Sequence, residues 1–142
     1  MKALSGRFFI LAVLLVAFAA CTMAQTATPT LAFTAPGPFI AGDASFPAGS
    51  YTIHQTQEEP NVWEISSDTK THNAFVSTVE EDALSPYPKT EVTFRKYGNT
   101  LILKEVLIGA QTIGYVVLPG HAEKQAAKSG KPTKVSVPAT KK

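Results

Sequence analysis

The residues that could do chemistry here are three histidines, an acidic run and a few serines. His54, His72 and His121, together with Glu58, Glu59, Glu80, Glu81 or Asp82, are the set from which a metal site would have to be drawn. No two of the histidines stand at a ligand spacing such as His-x-His or His-x3-His. The run Glu80-Glu81-Asp82 could supply paired carboxylates for glycoside hydrolysis, or a calcium patch. A calcium loop, however, alternates its oxygen ligands and places a glycine at the sharp turn, and this run does neither. Ser50, Ser66 and Ser85 could act as nucleophiles, but none sits in a Gly-x-Ser-x-Gly elbow. Cys21 is the single thiol. The sequence therefore assigns no catalytic, cofactor-binding or metal-ligating residue, and the expectation is surface histidines and a solvated acidic loop.

The elements that would carry these residues read as β. Residues 25–38, with Pro29, Pro36 and Pro38, read as a linker with a short β piece at Leu31-Ala32-Phe33. From Phe39 to Gly120 short alternating runs are punctuated by turn pairs, and this range is the expected β domain. Ser50–Gln55 alternates, with Tyr51 and Ile53 on one face. Val62–Ile65 follows, with Trp63 and Ile65 inward, and then Asn73–Val79. Pro86 and Pro88 exclude their segment from a central strand. Thr90–Tyr97 places Val92 and Phe94 on one face, and Gly98-Asn99 is a two-residue hairpin signal. Thr100–Ile108 returns with Leu101-Ile102-Leu103 apolar on both faces, as a central strand would be. At Gly109-Ala110 a second tight turn is expected, with Gly109 supplying the positive φ, and Gln111–Leu118 completes a meander. The expected core is Phe39, Tyr51, Ile53, Trp63, Ile65, Phe75, Val79, Val92, Phe94, Leu101, Leu103, Ile113, Tyr115 and Val117.

Past Gly120 the composition shifts. Residues 121–128 are good helix formers, but a lone helix this short is marginal in water and must dock on the β body. Residues 129–142 contain Gly130, Pro132, Pro138, four lysines and no large apolar residue, so a disordered tail is expected. Seven or so strands and one short helix imply an all-β fold, a small antiparallel barrel or sandwich.

The first 24 residues indicate destination. Lys2 and Arg7 precede an uncharged apolar run of 13 residues, Phe8 to Ala20, well short of the roughly 20 that a helical span takes. Small residues at Thr22 and Ala24 complete the layout of a secretory signal cut after Ala24. In the alternative, the string Ala17-Phe18-Ala19-Ala20-Cys21 acts as a lipoprotein box and the chain is lipid-anchored through Cys21. The expected location is periplasmic or extracellular, with no transmembrane segment once the signal is removed. No internal disulfide can form in the mature domain, so its core alone must hold it.

Charge is unevenly spread. Residues 25–120 carry five cations against ten acids, whereas residues 121–142 carry six lysines against Glu123. Such asymmetry points to an interaction tail. Nucleic acid is an unsuitable partner, because the chain is exported and the tail has no aromatic to stack on bases. An anionic envelope surface, lipid headgroups or wall polymers, suits the lysines.

Three strings carry a resemblance. They are Phe46-Pro47-Ala48-Gly49-Ser50-Tyr51-Thr52-Ile53, Lys89-Thr90-Glu91-Val92-Thr93-Phe94-Arg95-Lys96-Tyr97-Gly98-Asn99, and Leu118-Pro119-Gly120-His121-Ala122-Glu123-Lys124. In this order they resemble the turn-strand, hairpin and closing segments of a family of small exported bacterial β proteins without an assigned function. The resemblance spans roughly residues 33–128. It implies a fold and an export route, and it brings no catalytic residues. The resulting expectation is a non-enzymatic exported β domain with a structural or binding role at the envelope. The alternative is a ligand-binding barrel or a small hydrolase with a site between strands.

Overall fold

A computed structural model of the chain describes residues 29–142. The expected signal at 1–24, Cys21 and the start of the linker lie outside the described residues. Ten strands form: β1 Leu31–Ala35, β2 Phe39–Ala41, β3 Ala44–Phe46, β4 Gly49–Gln55, β5 Val62–Ser67, β6 Asn73–Asp82, β7 Glu91–Tyr97, β8 Thr100–Leu107, β9 Ile113–Val117 and β10 Thr133–Lys141. A six-residue helix, α1 (His121–Ala126), and a 3₁₀ turn, Ala127–Ser129, lie between β9 and β10. Eight of the strands close an antiparallel barrel in the order β8-β7-β10-β1-β4-β5-β6-β9 and back to β8. Of the two architectures the sequence allows, the chain adopts the barrel.

The remaining two strands, β2 and β3, form a hairpin through Gly42-Asp43 that fills a gap in the ring. The upper half of β8 pairs with β9 through Glu105–Leu107, while Leu101 and Ile102 pair in parallel with β2. One strand thus has two successive neighbours on the same edge. A bulge eases the change. Thr93 pairs with Glu105 and Phe94 with Leu103, leaving Lys104 as the extra residue. Leu103 and Val106 both reach the core on either side of it.

Rings pack across the interior. Phe39 stacks on Phe46 at 5.0 Å, and Tyr51 meets both edge-on at 5.1 and 5.6 Å. Phe33 and Phe94 complete this group. Trp63 and Tyr115 pack together at 4.8 Å. Each such side chain contributes about 1.5–3 kcal/mol before the entropy cost. The Tyr51 hydroxyl donates to the Pro47 carbonyl, so the Phe46–Ile53 string ties its turn to its strand. Burial raises the pKa of Tyr51 and of Tyr115, the latter also through the charge of Glu80.

Several expectations are corrected. The linker expected over 25–38 contains β1, whose alternation buries Leu31, Phe33 and Ala35. Seven strands become ten, and the domain expected at 39–120 extends over 31–141. The tail expected to be disordered at 129–142 instead contributes a barrel strand, β10, paired with β7 on one side and β1 on the other. Its inward residues, Val135, Val137 and Ala139, are small but fall at period two. Pro138 fits because the Ala139 N–H bonds toward β7, to Thr90 at 3.1 Å. The Pro138 nitrogen therefore faces the β1 side, where the ladder has already ended at Phe33↔Ala139.

Phe75 and Val79 are 61% and 43% exposed, outside the core that the sequence suggested. The Trp63↔Val76 register turns Val76 and Thr78 inward instead. Apolar residues on both parities of β6 leave its face undecided until pairing fixes it. At the Gly109-Ala110 turn the positive φ belongs to Ala110, at 66°. Gly109 sits where space is tight, since a Cβ there would lie 3.1 Å from the backbone of Lys89 and Thr90.

The Gly98-Asn99 hairpin is as expected. Tyr97 pairs with Thr100, and Gly98 alone takes positive φ, at 59°, as the first corner of a II′ turn does. Open space surrounds its missing Cβ, so only the backbone restricts the position. Gly98→Val should lower unfolding free energy by about 1–3 kcal/mol in urea titration, and Gly98→Asn by less, because Asn follows Gly among the residues that primed turns accept at positive φ. Equal losses would mean that contacts, not φ, set the requirement.

Candidate functional site

The residues singled out from sequence are dispersed around the barrel. His54 on β4 faces Glu64 on β5 as a cross-strand pair at 3.4 Å. His72 is exposed at the foot of β6, its Nδ1 3.0 Å from the Thr71 hydroxyl. His121 opens α1 on the surface. Glu80, Glu81 and Asp82 end β6 and are exposed. Glu58 and Glu59 lie in the exposed β4–β5 loop. Among the described residues no three of His, Cys, Asp and Glu gather into a metal-binding group. Ser50 lies beside Thr34 (3.4 Å between hydroxyls), Ser66 is buried on β5, and Ser85 is in an exposed loop.

What does gather is a group the sequence did not single out as a unit. It lies on the outer wall where β7, β8 and β10 run side by side. Thr93 and Arg95 face outward between the inward Val92 and Phe94. Lys104 projects from the β8 bulge and is only 8% exposed. Its ammonium donates to the Val117 carbonyl at 3.3 Å and pairs with Glu123 at 3.4 Å. Glu123 comes from α1, is 5% exposed, and also receives Arg95 at 3.5 Å. Glu105 accepts the Thr93 hydroxyl at 3.0 Å. Lys134 stands directly across from Arg95 in the β10–β7 ladder. A groove of about 440 Å³ runs between them, walled by Thr93, Arg95, Lys104, Glu105, Pro132 and Lys134.

Two contacts seat the helix over this wall. At its N-terminal end, the Asp43 carboxylate from the β2–β3 turn accepts the Ala122 N–H at 3.3 Å. The approach requires Gly120, whose Cβ would fall 2.6 Å from that carboxylate oxygen. At the next residue, Glu123 places its charge between Arg95 and Lys104. The docking that a six-residue helix needs is therefore electrostatic as much as apolar. Lys104 and Glu105 were visible in sequence as adjacent charges inside the mostly apolar stretch Leu101 to Ile108, but only tertiary structure supplies the partners of Lys104.

No family model, no curated protein and no solved structure matches the chain. No described helix is long and apolar enough to cross a membrane.

Removing one partner of a nearly buried pair leaves the other charge uncompensated. Glu123→Ala should cost about 3 kcal/mol, the low end for such a loss, since Arg95 is well exposed and the separations reach 3.4–3.5 Å. Replacing both Lys104 and Glu123 by Met and Leu should restore most of it. Chemical denaturation reads both, and a double variant no better than Glu123→Ala would show that the cost lies in packing.

Proposed function

We propose that this chain is an exported, non-enzymatic barrel with a binding role at the cell envelope, and that it contacts an anionic surface through the lysines of residues 121–142 and the neighbouring Arg95. The observation that carries the reading is the place of β10. Its lysine-bearing segment is built into the barrel wall, so Lys134 is held beside Arg95 rather than on a mobile end. The interior, meanwhile, is packed with rings, which puts the accessible chemistry on the outside. The resemblance to small exported β proteins supports the same setting, and export rests on the secretory layout of residues 1–24.

Two measurements test this. Mass spectrometry of the native chain should find Gln25 as its first residue, and a lipid-modified Cys21 would select the anchored alternative. The protein should co-sediment with vesicles containing phosphatidylglycerol and not with phosphatidylcholine alone. Each lysine close to such a surface contributes about 1 kcal/mol. Binding should weaken as salt rises, because the screening length falls from about 10 Å at 0.1 M to about 3 Å at 1 M. Substituting Gln at Lys131, Lys134, Lys141 and Lys142 together should abolish it. Undiminished binding by that variant would overturn the basic-surface reading.

A further inference from the structure

The groove over β7, β8 and β10 holds more positive charge than its own carboxylates answer. Three cations face it: Arg95, Lys104 and Lys134. Two carboxylates stand nearby: Glu123 is paired with Arg95 and Lys104, while Glu105 accepts the Thr93 hydroxyl and keeps its negative charge, which leaves the groove one positive charge in excess. Arg95 has five N–H donors, and its one described partner is Glu123, at 3.5 Å. Among the described residues Lys134 has no hydrogen-bond or ion-pair partner.

Register sharpens the imbalance. Lys134 and Arg95 are direct cross-strand partners on the same outer face. Like charges at such positions repel and weaken the sheet. A guanidinium fork and an ammonium held side by side are the donors that an anionic oxygen cluster takes. The groove is open above them and the Thr93 hydroxyl lies on its wall.

We infer that this groove is a phosphate-group site, with Arg95 and Lys134 as its two principal donors and Lys104 as the charge at its floor. The inference rests on the anionic-surface reading and narrows it. The phosphate of a headgroup or of a wall polymer would be recognised at this groove, while Lys128, Lys131, Lys141 and Lys142 would add only general attraction. A free phosphate compound offers the same chemistry.

The test uses the full mature chain, inorganic phosphate and phosphatidylglycerol vesicles. Phosphate should raise the melting temperature of the wild type more than sodium chloride at equal ionic strength, because a ligand that binds only the folded state stabilises it. Lys134→Gln should melt slightly higher than wild type without phosphate, since it relieves the repulsion, and should lose the phosphate-specific rise. Its phosphate affinity should fall about tenfold, the equivalent of one charge-assisted contact. Arg95→Gln should lose the rise too, and Lys141→Gln with Lys142→Gln should keep it. Parallel loss of vesicle binding in the two groove variants assigns the site to a surface phosphate. Loss of the phosphate response alone assigns it to a soluble phosphate compound.

A wild type indifferent to phosphate beyond ionic strength would overturn the inference, as would a rise that survives in Lys134→Gln and Arg95→Gln. If vesicle binding persists in either case, the anionic-surface reading stands without the groove. If both responses vanish from the wild type, the two readings fail together.

Discussion

The structure depends on the pairing of its two ends. Leu31 lies opposite Lys141, and β10 inserts between β7 and β1. Without β10, both of those strands would present an open edge, with unpaired N–H and C=O groups available to any other chain. Closure joins residues about a hundred apart, so its entropy must be met before any of its contacts form. No disulfide within the described residues helps, because they include no cysteine. The return comes from hydrogen bonding on both sides of β10 and from a core in which Leu31, Ile53, Trp63 and Ile65 are fully buried.

Closure is imperfect by design of the sequence, and the candidate site follows from how the gap is managed. The β8 strand serves two neighbours in turn, β2 and then β9. The bulge at Lys104 falls between them, where a bend in the strand is needed. It also throws a lysine onto the outer wall. The hairpin that fills the gap brings Asp43 to the helix, and the helix brings Glu123 to Lys104. Ile102 lies outside the main core cluster and is still only 2% exposed. Gap, bulge, hairpin and helix are thus one arrangement, and the groove lies at its margin beside β10.

How much of this was legible varies with how local the cause is. Tyr51 and Ile53, or Val92 and Phe94, alternate against polar neighbours, and their faces could be read directly. Gly98-Asn99 could be read because a two-residue turn needs local geometry only. Phe75 was placed in the core and lies outside it, since β6 has apolar residues on both parities and only the pairing with Trp63 chooses between them. The most instructive miss is β10. Val135, Val137 and Ala139 are few and small, and Pro138 and four lysines argue against order when the segment is judged alone. Strands on both sides reverse that judgement, because they bury the small side chains and satisfy the backbone. The groove failed to appear for the same reason: Arg95, Lys104, Glu123 and Lys134 become neighbours only after the ring closes.

The charge asymmetry of the sequence acquires a geometry in the barrel. Around the ring, β10 and β6 are four steps apart in either direction, so they occupy opposite walls. Glu80, Glu81 and Asp82 end β6, while Lys134 stands on β10 beside Arg95. A chain with nearly balanced charge is therefore polarised across its width. On the proposed reading this matters more than the net charge does. Beside an anionic surface, attraction acts on the wall nearest to it and is screened within about 10 Å at 0.1 M salt. The acidic wall, a barrel width away, is largely outside that field. Orientation with β10 inward then gains the attraction without the opposing repulsion, and a near-neutral protein can bind an anionic surface as a basic one would.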